Sequence, residues 1–275
     1  GHAILTVANS FTNEWRIELT STSPGAHTAG LTVNASGTLT NAVGGVIEAL
    51  AGTTSGPRNL SARIDNQGTM NINTATTWSN TGGGECKNSG TINVTGGDLS
   101  FSQSGTSATL SHSGAVTIAS GRKFEVSGGV FQQSGTSTGA GTLSFSGTTV
   151  NLSTDFSNAA LTSLRIYNTT VNGPGSLTNA AGKTLTLNYV TINTAFVNEG
   201  TAICGSNLGL NGAGTNSAGA TLRLEANGTF GSAYLTVANS FTNEGRIELT
   251  STSQSGHAAG LTVNASGTLT NAVGG

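Results

Sequence analysis

Charge, aromatic rings and sulfur are all scarce in this chain. Charged residues make up 8% and aromatic residues 5% of it, against about 25% charged in ordinary globular domains. Ten basic residues against twelve acidic ones leave a net charge of −2, so there is no basic stripe for a nucleic acid to follow. No apolar run approaches the roughly 20 residues of a membrane-spanning helix. No charged and then apolar leader opens the sequence, which puts any secretion signal outside this segment. The two cysteines, Cys86 and Cys204, fit neither a disulfide framework nor a metal motif. They read as isolated thiols packed like small core residues, with a link between molecules as the lesser alternative.

What is abundant is small and polar. Gly, Ser, Thr and Asn supply 145 of the 275 residues. Disorder pairs low hydrophobicity with high net charge, and here the charge is near zero while Val, Ile, Leu and Phe recur at regular intervals. Runs such as "GTLSFSG" (141–147), "KTLTLN" (183–188) and "RIELT" (246–250) alternate apolar with polar residues and end in Gly, Asn or Ser, the mark of short strands. No 3.6-residue beat is long enough for a helix.

Two periods are nested in the chain. Residues 1–45 and 231–275 are identical at 38 of 45 positions, and four of the seven differences fall within "SPGAHTAG" and its counterpart "SQSGHAAG". The apolar positions Leu5, Val7, Phe11, Ile17, Leu19, Leu31, Val33 and Leu39 are all kept, so a core is preserved while one turn drifts. This divides the chain into a complete unit, 1–230, and the start of the next, 231–275. The chain is expected to be an excerpt of a longer tandem array.

Inside the unit, an apolar–x–Asn–x–Gly–x–apolar phrase returns in variants, among them "FTNEGRIEL" (241–249), "IDNQGTMNI" (64–72) and "FVNEGTAI" (196–203). Taking Asn13, Asn41, Asn66, Asn88, His112, Gln133, Asn158, Asn179, Asn198, Asn216 and Asn243 as register marks gives ten steps over 230 residues. A beat of 23 residues indicates a repeat architecture. An antiparallel sandwich is the runner-up, but it does not require turn phrases at this spacing.

The expected fold is therefore all-β, a parallel β-solenoid of about 23 residues per coil and roughly ten coils per unit. Equivalent residues of successive coils would stack ~4.8 Å apart, so that Phe11, Leu39 and Ile64 form an apolar column. The Asn marks would form a hydrogen-bonded ladder. The following Gly suits a corner needing positive φ, although Trp15 occupies that place where the second copy has Gly245.

The phrase and the composition resemble the repetitive β-helical surface proteins of bacteria, the large adhesins and filamentous-haemagglutinin-like exoproteins. The resemblance implies a secreted, surface-attached rod or fibre whose repeats set its length. It carries no catalytic motif onto any position here.

Chemistry is sparse on the residues themselves. The three Asp (Asp65, Asp98, Asp155) stand at different offsets from the register marks, so no carboxylate cluster of the kind used in glycan cleavage is implied. Alternation would put Glu14, Arg16 and Glu18 in one outward ion-pair row. Thr-x-Thr pairs at 38–40, 184–186 and 268–270 are too interrupted for an ice-binding ladder. No cofactor, metal or catalytic residue is expected. Large exposed aromatics could stack on sugars: Trp78 reads as core, Trp15 as a possible surface contact, and Tyr167 and Tyr189 as further candidates. The expected function is a structural segment of an extracellular or cell-surface filament, partnered by copies of itself or by adjacent repeat units. The alternative is an adhesin module that contacts glycans through its flank.

Overall fold

A computed structural model describes residues 2–22, 24–34, 36–53, 56–252 and 256–272. Part of the drifting turn, Gln254 and Ser255 with their neighbour Ser253, lies outside the described residues, as do Ala35 and residues 273–275 of the repeated phrase. The chain folds as a parallel β-solenoid of about 11 turns with about 22 residues per turn. The only helical piece among the described residues is a 3-10 turn, Asn158–Ala160. Contacts gather into two compact units, Gly1–Ser144 and Phe145–Gly275, and the repeat boundary at 230/231 falls within the second.

Most coils contribute three short strands; in others two run together, as in Leu161–Asn172 and Thr184–Ile192. In the first unit a representative coil is Arg58–Ser61, Arg63–Asn66 and Thr69–Ile72. Most strands alternate a buried residue with a half-buried or exposed one, as Arg63–Asn66 and Thr69–Ile72 do, and so present one row inward and one outward. Stacking puts like on like. Leu5, Leu31, Leu60, Trp78, Phe101 and Val126 follow one another down one face. Ile17, Ile47, Met70, Ile92 and Val116 do so down another. Phe11 pairs with Leu39 and Leu39 with Ile64 on the third, as the period implied. Each fully buried side chain of this size contributes about 1.5–3 kcal/mol of transfer free energy. In the second unit the matching column runs Phe156, Leu177, Phe196, Gly214, Phe241 and Leu269. There Gly214 leaves room for its large neighbour: a Cβ on it would lie 2.4 Å from the Phe241 ring.

The register marks form amide ladders. In the first unit Asn13, Asn41 and Asn66 each donate from Nδ2 to the Oδ1 of the next, ending on Asn88, at 2.6–2.7 Å. In the second unit the ladder runs unbroken from Asn158 through Asn179, Asn198, Asn216 and Asn243 to Asn271, again at 2.6–2.7 Å. A buried amide without partners would cost several kcal/mol; each of these has its partner on the adjacent coil.

The glycine after the mark needs a different explanation from the one expected. Gly68 and Gly90 are absent from the positive-φ glycines. A Cβ on Gly68 would lie 2.2 Å from the Gly45 carbonyl oxygen, and one on Gly90 2.1 Å from that of Gly68. At these two corners glycine is required because the preceding coil passes too close for a side chain.

One cation sits inside. Arg58 is fully buried, and burial lowers its pKa from the ordinary arginine value. Its guanidinium donates to the carbonyls of Leu19 (3.1 Å), Leu50 (2.8 Å), Ala51 (2.7 Å) and Gly56 (2.5 Å). Leu19 closes the strand Arg16–Leu19 and its carbonyl also accepts the Leu50 N–H. Leu50, Ala51 and Gly56 lie between the strands Val46–Ala49 and Arg58–Ser61, and the planar five-donor fork collects all four carbonyls.

Candidate functional site

Ionisable groups are dispersed over the coils. Among the described residues no three His, Cys, Asp or Glu side chains come together as a metal site. Asp98 accepts the backbone N–H of Lys123, and Asp155 accepts the N–H and hydroxyl of Ser176, which hold its carboxyl below the ordinary value. Both therefore hold the adjacent coil in place. Cys86 and Cys204 are buried free thiols, pushed by desolvation up to about 11 and about 12. At such values they are neutral and inert, and neither lies at the surface where it could link two molecules.

The ion-pair row differs from the one expected. Glu14 lies in the bend before the strand Arg16–Leu19 and takes no part in it. Arg16 pairs with Glu18 and with Glu48 on the adjacent coil, both at 2.6 Å. In the repeated copy Glu248 is held by Arg246 of its own strand at 2.9 Å and by Arg223 of the preceding coil at 2.5 Å. Each row therefore joins a partner on its own strand to one on the adjacent coil. The Thr-x-Thr row is interrupted in the same way, since Thr38 stacks on Arg63 and Thr40 on Asp65.

The aromatic residues separate into core and surface. Trp78 is fully buried, donates from Nε1 to the Ala62 carbonyl at 3.0 Å, and packs 4.2 Å from the Phe101 ring. Trp15 is 81% exposed. On the flank of the second unit three coils bring Tyr167, Tyr189 and Phe230 together, with ring centroids 5.9–6.4 Å apart. Both tyrosines keep 42% of their surface exposed.

Local backbone builds this cluster. Thr169 stacks on Val190, which sets Asn168 beside Tyr189, and both adopt positive φ, 46° and 56°. Asn tolerates this region, but for a bulky residue such as Tyr it is an outlier that costs of order 1–3 kcal/mol. Hydrogen bonds hold it there: the Tyr189 N–H donates to Ser206 Oγ at 2.6 Å and its hydroxyl to the Phe230 carbonyl at 3.1 Å. Phe230 is presented by a tight loop in which Asn227 Oδ1 accepts the N–H groups of Thr229 and Phe230, both at 2.9 Å. The result is a patch of half-exposed rings on the flank, with the exposed Arg165 two residues before Tyr167 on the same outward row. Sequence reading singled out the two tyrosines but not Phe230. The "NGT" turn at 227–229 was the available signal that a residue there is lifted onto the flank.

The chain matches no protein-family model, no curated protein and no solved structure. No helix among the described residues is long and apolar enough to cross a membrane.

Proposed function

We propose that this chain is a structural segment, a repeat-built rod or fibre of an extracellular or cell-surface filament or adhesin stalk. The coil is its working element: backbone bonds and amide ladders join coils along the axis, and apolar columns fill the cross-section. The reading assigns it no catalysis and no cofactor.

One observation carries the proposal. The two near-identical copies take the same register on the coil that follows: Ala3–Val7 stacks on Ala29–Val33 as Ala233–Val237 does on Ala259–Val263, and Asn13 stacks on Asn41 as Asn243 does on Asn271. The same coil is thus built twice by the same sequence, and a rod lengthened by repetition needs this equivalence. Electron microscopy and diffraction of the native material test the reading. Thin continuous fibres with a ~4.8 Å layer line are expected; discrete globular particles would overturn it.

A second reading, contact with glycans through the flank, is favoured by the Tyr167, Tyr189 and Phe230 patch, since half-exposed rings suit the apolar faces of polyhydroxylated ligands. Glycan-array binding that disappears in Tyr167→Ala would support it. Binding that disappears only in Trp15→Gly would transfer the contact to the exposed indole.

A further inference from the structure

An asparagine followed by glycine can rearrange without an enzyme, because no Cβ keeps the glycine nitrogen away from the side-chain amide carbon. The chain holds three such pairs, Asn172–Gly173, Asn211–Gly212 and Asn227–Gly228. Chemically they are the same; the fold sets them apart.

Asn172 and Asn211 belong to an outward amide ladder. Asn172 Nδ2 donates to Asn151 Oδ1 at 2.9 Å, and its own Oδ1 accepts from Asn193 at 2.8 Å. Asn211 Nδ2 donates to Asn193 Oδ1 at 2.8 Å. Both carboxamides are thus drawn towards adjacent coils and away from the glycine that follows them. The Gly212 N–H is in addition committed to the Ile192 carbonyl.

Asn227 is folded back on its own chain. Its Oδ1 accepts the N–H groups of Thr229 and Phe230, both at 2.9 Å, which brings the amide carbon over the loop that begins with Gly228. The same two donors draw electron density from that carbon, and they are placed to hold the negative oxygen formed on attack, as paired backbone N–H groups do in an oxyanion hole. Gly228 is exposed. Its N–H donates to no group among the described residues, and a Cβ built on it would meet nothing within 4 Å.

We propose that Asn227 is a self-modification site whose conversion to isoaspartate releases the contact between Tyr189 and Phe230. The Gly228 nitrogen loses its proton and bonds to Cγ of Asn227; the Cγ–Nδ2 bond breaks and ammonia leaves, closing a cyclic imide. Water then opens the imide. Cleavage of the bond to Cγ gives aspartate, and cleavage of the bond to the backbone carbonyl carbon gives isoaspartate. Isoaspartate routes the chain through Cβ and Cγ and so lengthens the loop by one backbone atom. Asn227 and Gly231 exchange N–H···O bonds in both directions at 2.9 Å, a pairing with no slack for that atom. Phe230, whose carbonyl accepts the Tyr189 hydroxyl at 3.1 Å, moves with the loop.

The experiment holds the full chain, folded and in denaturant, in mildly alkaline buffer and maps isoaspartate by peptide mass spectrometry. In the folded chain Asn227 should convert at least about tenfold faster than Asn172 and Asn211; in denaturant the three rates should converge. Comparable rates in the folded chain, or a slower Asn227, would overturn the proposal. Gly228→Ala has room for its methyl group, so its melting temperature should be kept while isoaspartate at 227 falls at least about tenfold. An unchanged rate would refute attack by that nitrogen. The aged chain should exchange amide hydrogens faster at Tyr189 and at 227–231 than the fresh one. Asn227→Asp, which adds the charge without the extra atom and can still accept both N–H groups, should exchange like the fresh chain. Equal protection of aged and fresh chain would refute the release of Tyr189.

Discussion

The side-chain nitrogen of Asn88 stands 3.1 Å from Nδ1 of His112, the one place in the first unit where the amide ladder passes to an imidazole. Asn88 Oδ1 already accepts from Asn66, so its Nδ2 donates to the histidine, and Nδ1 is the acceptor. The proton is on Nε2, which donates to the Thr136 carbonyl at 3.2 Å. Both ring nitrogens are committed in the neutral form, and burial lowers the pKa of His112 from its ordinary value.

Acid should therefore weaken the fold at this coil. An unfolded histidine takes up its proton near pH 6.5, whereas His112 in the fold resists it to lower pH. Below about 6.5 the unfolded chain binds more protons than the folded one, so stability falls as pH falls. Thermal melts between pH 7 and pH 5 should show a descending midpoint, and His112→Asn should flatten that part of the curve.

His112→Asn should also stabilise the neutral protein. The buried Gln133 Oε1 has no hydrogen-bond donor although Gln133 stacks directly on His112. An amide at 112 can accept from Asn88 and donate onward to Gln133. Removing one buried unsatisfied acceptor is worth about 1–3 kcal/mol, which denaturant titration resolves.

Breaking the ladder should cost more. Asn66 accepts from Asn41 and donates to Asn88 and to the Thr91 carbonyl. Asn66→Ala leaves buried polar groups on three partners and should lower stability by about 3 kcal/mol.

Two glycine substitutions should separate corner crowding from backbone freedom. Gly121 has φ of 71° and nothing within 4 Å of a built Cβ, whereas Gly90 has ordinary φ and a carbonyl oxygen at 2.1 Å. Gly121→Ala should cost about 1–2 kcal/mol. Gly90→Ala should cost more than about 4 kcal/mol. Equal losses would refute the close-approach account of the corner.

Arg58→Lys should fail to rescue the first unit. A single ammonium cannot reach the Leu19, Leu50, Ala51 and Gly56 carbonyls together, so a loss of about 3–5 kcal/mol is expected for removing a buried charge network member. Hydrogen exchange should show it first in the segments that supply those carbonyls.

Much of this architecture is legible in the chain itself. All eleven register marks occupy the buried corner, because each coil needs a polar group there that both donates and accepts; asparagine supplies it at nine of them and His112 and Gln133 at the other two. The columns through Phe11, Leu39 and Ile64 were legible for the same reason: a solenoid repeats one local environment, so periodicity in sequence becomes adjacency in space. The β class followed from short alternating runs bounded by glycine and asparagine.

What only the tertiary structure decided is whatever depends on the neighbouring coil. Glycine at corners such as those of Gly68 and Gly90 answers to a carbonyl some twenty residues away, not to its own φ, so its reason was invisible along the chain. Glu48 displaced Glu14 as the partner of Arg16 because strands stack across coils. Arg58 turned inward because a strand-end carbonyl and three loop carbonyls converge there, and irregular loops carry no period to announce it. Tyr167, Tyr189 and Phe230 meet for a similar reason: strained backbone and a lifted loop bring together rings from three coils. Period determines which residues are equivalent; contact distance between equivalents determines what each of them must be.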